Sequence, residues 1–233
     1  MPLRLFGSRR RTGAYLVRML YLGAMMGFFF FTTQYLQGVL GFSPLQAGIA
    51  FLPMSAVNFA VALVVNRAIR QAGPAIVLAA GVVATLAGMV WLSRVGAHSA
   101  YLRAVALPMV LIGAGQGLAF APMTSFGLAG ASGDDAGAAS GLVNTFHQVG
   151  SSLGLGVLAA VAAASVPSGT SASAALAHRV GTALTGGTVM LAAALALVAA
   201  LIARRSRRPR PVTLAGRAMP ASRAAGTVAG SRS

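Results

Sequence analysis

Apolar residues in this chain fall into long blocks rather than at alternate positions. Six such blocks run roughly over 14–36, 45–65, 74–92, 104–128, 136–164 and 182–203. Each has about the 20 mostly apolar residues that let a helix cross a hydrocarbon layer ~30 Å thick. A membrane barrel strand would instead alternate apolar and polar residues over about 10 positions, and none of the blocks does. The pattern predicts an all-α, integral membrane six-helix bundle. Residues 1–13 form a basic lead-in. The first block is too long for the apolar core of a secretory signal, so it reads as an uncleaved span. The segment 204–233 is rich in Arg, Pro, Gly, Ala and Ser and predicts a basic disordered tail.

Boundary signals separate the blocks. Ser43-Pro44-Leu45-Gln46 combines a capping serine, proline at the first helical position and a glutamine that completes a capping box. A connection over 66–74, holding Arg67 and Arg70 and ending in Gly73-Pro74, divides the second span from the third. Ser132-Gly133-Asp134-Asp135 precedes the fifth, where acidic side chains suit free N–H groups and the helix dipole. The longest connection is the Ser/Ala/Gly-rich stretch 165–181.

Charge then orients the spans. The 233 residues hold 18 basic groups, all arginine, against 2 acids, and only 9% are charged. A soluble domain carries nearer ~25%, so a water-facing surface cannot be tiled from this inventory, whereas a lipid-facing one needs no charge. With the N-terminus inside, fifteen arginines lie on the inner side, Arg18 among them, and only Arg94, Arg103 and Arg179 lie outside. That asymmetry predicts a multi-pass cell-membrane protein with both termini in the cytoplasm, and Trp91 and Tyr101 fall at the outer interface. The arginines flank spans instead of forming one stripe, which argues for anionic lipid and against nucleic acid as their partner. Cysteine is absent, so no disulfide, thiolate chemistry or cysteine-based metal site is expected; no cofactor or metal is expected either.

Polar side chains in hydrocarbon are costly and turn into the bundle or a wet cavity. In the fifth span Ser140, Asn144, His147 and Ser151 follow each other at helical spacing and share a face. The first span offers Gly23, Gly27, Phe30, Gln34 and Gln37 in the same way, the second Ser55 and Asn58, the fourth Gln116 and Thr124. One reading is the wall of a solute pathway; the other is interhelical hydrogen bonding worth about 0.6 kcal/mol per residue. His147 reads as the only ionisable side chain deep within a span. It either titrates or stays neutral on a neighbouring helix.

The pairs Gly23/Gly27, Gly113/Gly117, Gly137/Gly141 and Gly150/Gly154 predict close helix approach. Gly113–Gly117 lacks the strand and glycine spacing of a phosphate loop. Gly150-Ser151-Ser152-Leu153-Gly154 matches a serine-hydrolase elbow, but Ser152 sits about 140° around the helix from His147, and no sharp turn exposes it. No catalytic residue is expected.

Several of these residues carry a family resemblance. Gln34-Tyr35-Leu36-Gln37, then Gly41-Phe42-Ser43-Pro44-Leu45-Gln46-Ala47-Gly48 and Leu52-Pro53, resemble the major facilitator superfamily, in its fourteen-span drug/proton antiporter branch. Gly113-Ala114-Gly115-Gln116-Gly117 with Pro122 resembles the Gly-rich fourth helix of that branch's C-terminal half. Asp135-Ala136-Gly137-Ala138-Ala139-Ser140-Gly141, Asn144-Thr145 and Gln148-Val149-Gly150 resemble the start of its fifth. The likeness covers about 14–164. Two departures stand out: the aspartate usual in the 66–74 loop is missing, and position 147, often arginine in relatives, is histidine.

The resemblance implies half of a major facilitator fold, the C-terminal six helices. It also implies secondary transport of a hydrophobic or cationic small molecule, as efflux by proton antiport. Gln34, Gln37, Asn58, Gln116, Asn144, His147 and Ser151 would then line the substrate pathway, with Gly23, Gly27, Gly113, Gly117, Gly150 and Gly154 packing helices. A transport cavity lies between two halves that rock against each other. Three readings of the chain follow: a truncated transporter; a half-size transporter pairing with a separate N-terminal half or a second copy; or a transport-inactive membrane protein that binds partners.

The composition makes one direct prediction. The chain stays with the membrane pellet through alkaline carbonate extraction and enters solution only with detergent; release by carbonate alone would contradict the six spans.

Overall fold

The computed structural model describes residues 9–129, 131, 133–165, 169 and 171–206, and the described residues contain helices and no strand. The first helix, α1, is Arg9–Gly38. Then come α2 (Pro44–Ala50), α3 (Leu52–Ala72), α4 (Pro74–Leu92), α5 (Leu107–Leu128), α6 (Gly133–Ala163) and α7 (Ala172–Ser206). Six stretches are long and apolar enough to cross a membrane, with α2 and α3 together forming one of them, Pro44–Ala72. The predicted tail beyond Ser206, residues 1–8 and the Ser132 cap lie outside the described residues.

Local chemistry accounts for the breaks. The Ser43 hydroxyl accepts from the Gln46 backbone N–H at 3.3 Å, and Gln46 Oε1 accepts from the Ser43 N–H at 2.8 Å, so the capping box is closed. Between α2 and α3 the chain stays helical in direction at Phe51 (φ −84°, ψ −10°). Pro53 has no N–H to give the carbonyl four residues back, so one backbone hydrogen bond is lost and the helix is interrupted at Phe51. Before α5, a π-helical turn spans Leu102–Ala106 and the Leu107 N–H reaches back to the Leu102 carbonyl. Pro108 follows at the start of α5 and removes the next donor, so the wider turn occurs where an ordinary one could not be completed.

Two predicted connections are helical instead. The 66–74 segment is not a loop: α3 runs to Ala72, and Asn66, Arg67 and Arg70 ride on its last turns. Nothing in that stretch breaks a helix before Gly73, whose φ of +84° suits glycine, and Arg70 lies where a cation favours the C-terminal dipole. Most of 165–181 is likewise helix, since α7 starts at Ala172, ten residues before the predicted span. Ser171 caps it through the Ala174 N–H (3.3 Å), the alanines that follow are strong helix formers, and Ala177 and Val180 are buried. α1 extends past its apolar block at both ends (9–38 against 14–36), and α3 runs seven residues beyond its own, to Ala72, because helix continues into polar residues that contain no proline.

Around α1 the bundle is assembled. α1 packs along α6 and α7; α4 packs along α5 and reaches α7; α3 lies on α5. Of the most apolar stretch of α1, 67% is buried, against 17% in Pro44–Ala72, 28% in α6 and 22% in α7. Three tyrosines tie α1 to other elements. The Tyr15 hydroxyl donates to the Gly127 carbonyl at 3.1 Å, and Tyr35 donates to the Gly96 carbonyl at 2.8 Å. Tyr21 meets Thr85 Oγ1 at 2.8 Å, while Thr85 itself donates to the Gly81 carbonyl.

Glycines set how close the helices come. Gly23 of α1 faces Gly150 and Gly154 of α6 backbone to backbone, and Gly27 faces Leu158. Gly113 and Gly117 of α5 meet the α3 backbone at Met54 and Asn58, and Gly115 meets Gly81 of α4. Gly137 and Gly141 have open space around them, so the packing role predicted for that pair does not hold. Gly141 precedes Gly150 by nine residues, about two and a half turns, which places it on the opposite side of α6 from the contact.

Gly154→Ala is therefore expected to destabilise the chain by about 1–3 kcal/mol, because its methyl would meet the Gly23 backbone, which cannot yield as a side chain can. Gly156→Ala, in open space on the same helix, is expected to be neutral or to stabilise by up to about 1 kcal/mol. Unfolding in mixed detergent–SDS micelles measures both; equal losses would remove the glycine contact as the cause.

Candidate functional site

Gln116, Phe120 and Thr124 recur every four residues on α5 and so share one face over about 12 Å of helix. All three are half-buried. That face is flanked by α3 on one side and by α1 and α6 on the other. At one end Asn58 of α3 donates through Nδ2 to Gln116 Oε1 at 2.7 Å. At the other end Arg18 of α1 donates through Nη1 to Thr124 Oγ1 at 3.1 Å and through Nη2 to His147 Nδ1 of α6 at 3.3 Å. The Arg18 guanidinium also lies 5.8 Å from the centroid of the Phe120 ring, within cation–π range. Beside it Tyr15 stacks on Phe146, with centroids 5.1 Å apart and planes within 13°.

Hydrogen-bond chemistry fixes the state of the histidine. A guanidinium has donors only, so Nδ1 must be the acceptor. The imidazole in this arrangement is neutral and carries its proton on Nε2.

The predicted site residues separate into groups. Asn58 and Gln116 are joined to each other, and His147 is joined to Arg18. Along the α6 stripe exposure falls with position: Ser140 and Asn144 are exposed, His147 is half-buried, and Ser151 is buried at 5%. Ser151 is thus enclosed by the bundle and does not stand on the open face with the rest of the stripe. On α1, Gly23 and Gly27 are covered by α6, whereas Phe30 and Gln37 are exposed and Gln34 is half-buried. The predicted α1 face is therefore packed at one end and open at the other. A shallow cavity of about 320 Å³ lies elsewhere, lined by Ser93, His178, Thr182 and Thr185, and touches none of these residues.

Arg18 is the residue that sequence reasoning misplaced. It reads as an inner flanking charge, yet it is only 8% exposed. His147 is accordingly not the only ionisable side chain within the spans. A signal was present: the residues at helical spacing around Arg18, namely Ala14, Tyr15, Tyr21 and Leu22, are large or apolar, and all are buried.

Comparison with known proteins narrows the reading. A family model described as the Major Facilitator Superfamily matches residues 2–155. The cephamycin export protein CmcT of Amycolatopsis lactamdurans is 37% identical over 211 residues, 90% of this chain and 43% of its own length. The puromycin resistance protein pur8 of Streptomyces alboniger is 33% identical over 161 residues, 68% of this chain and 32% of its own. The multidrug efflux pump LfrA of Mycolicibacterium smegmatis is 29% identical over 163 residues, 69% of this chain and 32% of its own. The chain spans less than half the length of each of these relatives.

For the Asn58–Gln116 pair, a double-mutant cycle of Asn58→Ala and Gln116→Ala is expected to give a coupling near 0.6 kcal/mol and no more than about 1.7 kcal/mol, the range for hydrogen bonds between membrane helices. Unfolding in mixed micelles measures it; zero coupling would show that the two amides do not pair.

Proposed function

The chain belongs to the Major Facilitator Superfamily, and on that footing we propose that it forms the C-terminal wall of a transporter that exports drugs or metabolites by proton antiport. One observation carries the reading. The polar face of α5 is half-open between α3 and α6, and of the helices packed on α5 these leave the most surface uncovered: the Pro44–Ala72 span that holds α3 is 17% buried and α6 28%, against 44% for α4 and 67% for α1. In hydrocarbon, a strip bearing two amides, a guanidinium and an imidazole is tolerated where it lines a wet cavity or meets another protein surface. A second six-helix body placed against α3 and α6 would enclose it.

In this proposal Gln34, Gln37, Asn58, Gln116, Asn144 and His147 face the solute, and the partner body is a separate N-terminal half or a second copy of the chain. The two halves of such folds are parallel repeats about an axis along the membrane normal, so a copy with the same orientation has suitable geometry. Both termini lie in the cytoplasm. The relatives' names, export protein, resistance protein and efflux pump, support efflux as the direction. Transport is favoured over hydrolysis because His147 Nδ1 is engaged by Arg18 and Ser152 lies on another side of the same helix.

The absence of native cysteine makes the test clean. Cysteines placed at Asn58, Gln116 and Asn144 are expected to react about tenfold faster with a water-soluble thiol reagent than cysteines at the exposed apolar positions Leu63 and Val189, since thiolate forms only where water reaches. Cells lacking the chain are expected to accumulate more of a fluorescent drug. Equal reaction rates at all five positions, with unchanged accumulation, would refute transport.

A further inference from the structure

We propose that Arg18 anchors an acidic group of the transported molecule, so that the substrates of this wall are amphiphilic organic anions. The inference rests on the transport reading above and names the substrate class of that same site.

The charge balance around Arg18 carries it. The side chain is more than nine-tenths buried. Of its five N–H donors, two go to Thr124 Oγ1 and His147 Nδ1, and Nε is buried with no partner. Both partners are neutral, and Phe120 adds only the face of a ring. The chain has two acids, Asp134 and Asp135. They precede His147 on α6 by thirteen and twelve residues, about 18 Å of helix, which puts them out of reach of the guanidinium bonded to that histidine. A buried guanidinium surrounded by neutral groups strongly favours an anion, and a carboxylate or phosphate matches its forked donors. The same charge repels a cation, which removes half of the substrate class that the family resemblance implied.

The surroundings describe the rest of the molecule. The neutral imidazole leaves Nε2–H as a further donor at the site. Phe120 offers an apolar ring next to the charge, and the Asn58–Gln116 amides stand two turns along α5, about 12 Å away. The occupant has an acidic group at one end, a ring-sized apolar body, and uncharged polar groups toward the other end.

The test uses two fluorescent probes that differ in one negative charge, dansylglycine and its neutral amide, with ethidium as a cation. Accumulation is measured in cells carrying the full chain, in cells with its gene deleted, and in cells carrying Arg18→Gln or Arg18→Lys. The intact chain is expected to lower dansylglycine accumulation selectively. Arg18→Gln is expected to abolish that effect and Arg18→Lys to retain it, which also guards against a variant that fails to fold. Purified full-length chain in neutral phosphatidylcholine nanodiscs is expected to bind dansylglycine about ten- to a hundredfold more tightly than the amide, the scale of one charge-assisted bond.

If deletion affects ethidium alone, transport stands and the anion proposal falls. If Arg18→Gln changes both dansyl probes equally, Arg18 is only a structural tie and the proposal is wrong. If phosphatidylglycerol in the nanodiscs displaces dansylglycine completely, a lipid headgroup is the occupant and the exported anion is not. If no probe responds to deletion, the transport reading itself has failed.

Discussion

Between helices in lipid there is no hydrophobic force, because acyl chains are as apolar as leucine. What holds such helices is close van der Waals approach and the need of every polar group to find a partner inside the protein. In this chain both requirements converge on α1. Its glycines let α6 approach backbone to backbone, and its tyrosines reach Gly127, Thr85 and Gly96 on three other parts of the fold. With α1 and α5 as the inner pair, α3 and α6 become the outer flanks, and the strip of polar side chains on α5 is left half-open between them.

That arrangement explains why the same residue types play different parts. Asn58 and Gln116 satisfy each other across α3 and α5, so they cost little to place in the membrane. Arg18 is different. Its hydrogen bonds go to a hydroxyl and a neutral imidazole, neither of which balances a full charge. A buried ion without a counter-charge is costly by several kcal/mol, and that is the imbalance which the proposed anionic substrate would relieve. The overall composition is consistent with this: with 18 basic residues and 2 acids, the chain has almost no means of neutralising a buried cation from within.

Particular elements show how far the sequence could be read. The third span, 74–92, coincides with α4 because Gly73-Pro74 starts it unambiguously, and the Ser43–Gln46 box marks the next clear boundary. Connections were less legible. The 66–74 and 165–181 stretches look polar, but polarity does not stop a helix; Gly73 ends α3 and the Ser171 cap starts α7. The glycine pairs were legible as a class, yet Gly137/Gly141 shows that small-residue spacing does not say which side of a helix meets a neighbour.

Bilayer thickness is a one-dimensional constraint, so the number of spans, their helical form and the asymmetry of arginines follow from the order of residues alone. So does the family, through motifs that are local in the chain. Arg18 could not be settled that way, although the apolar and aromatic residues at helical spacing around it point toward burial. Whether a guanidinium near the start of a span sits in headgroups or inside the protein depends on where α5 and α6, more than a hundred residues later, cross α1. The same holds for Ser151, enclosed while Asn144 two turns earlier is open. Burial is a property of three helices at once, and only their packing decides it.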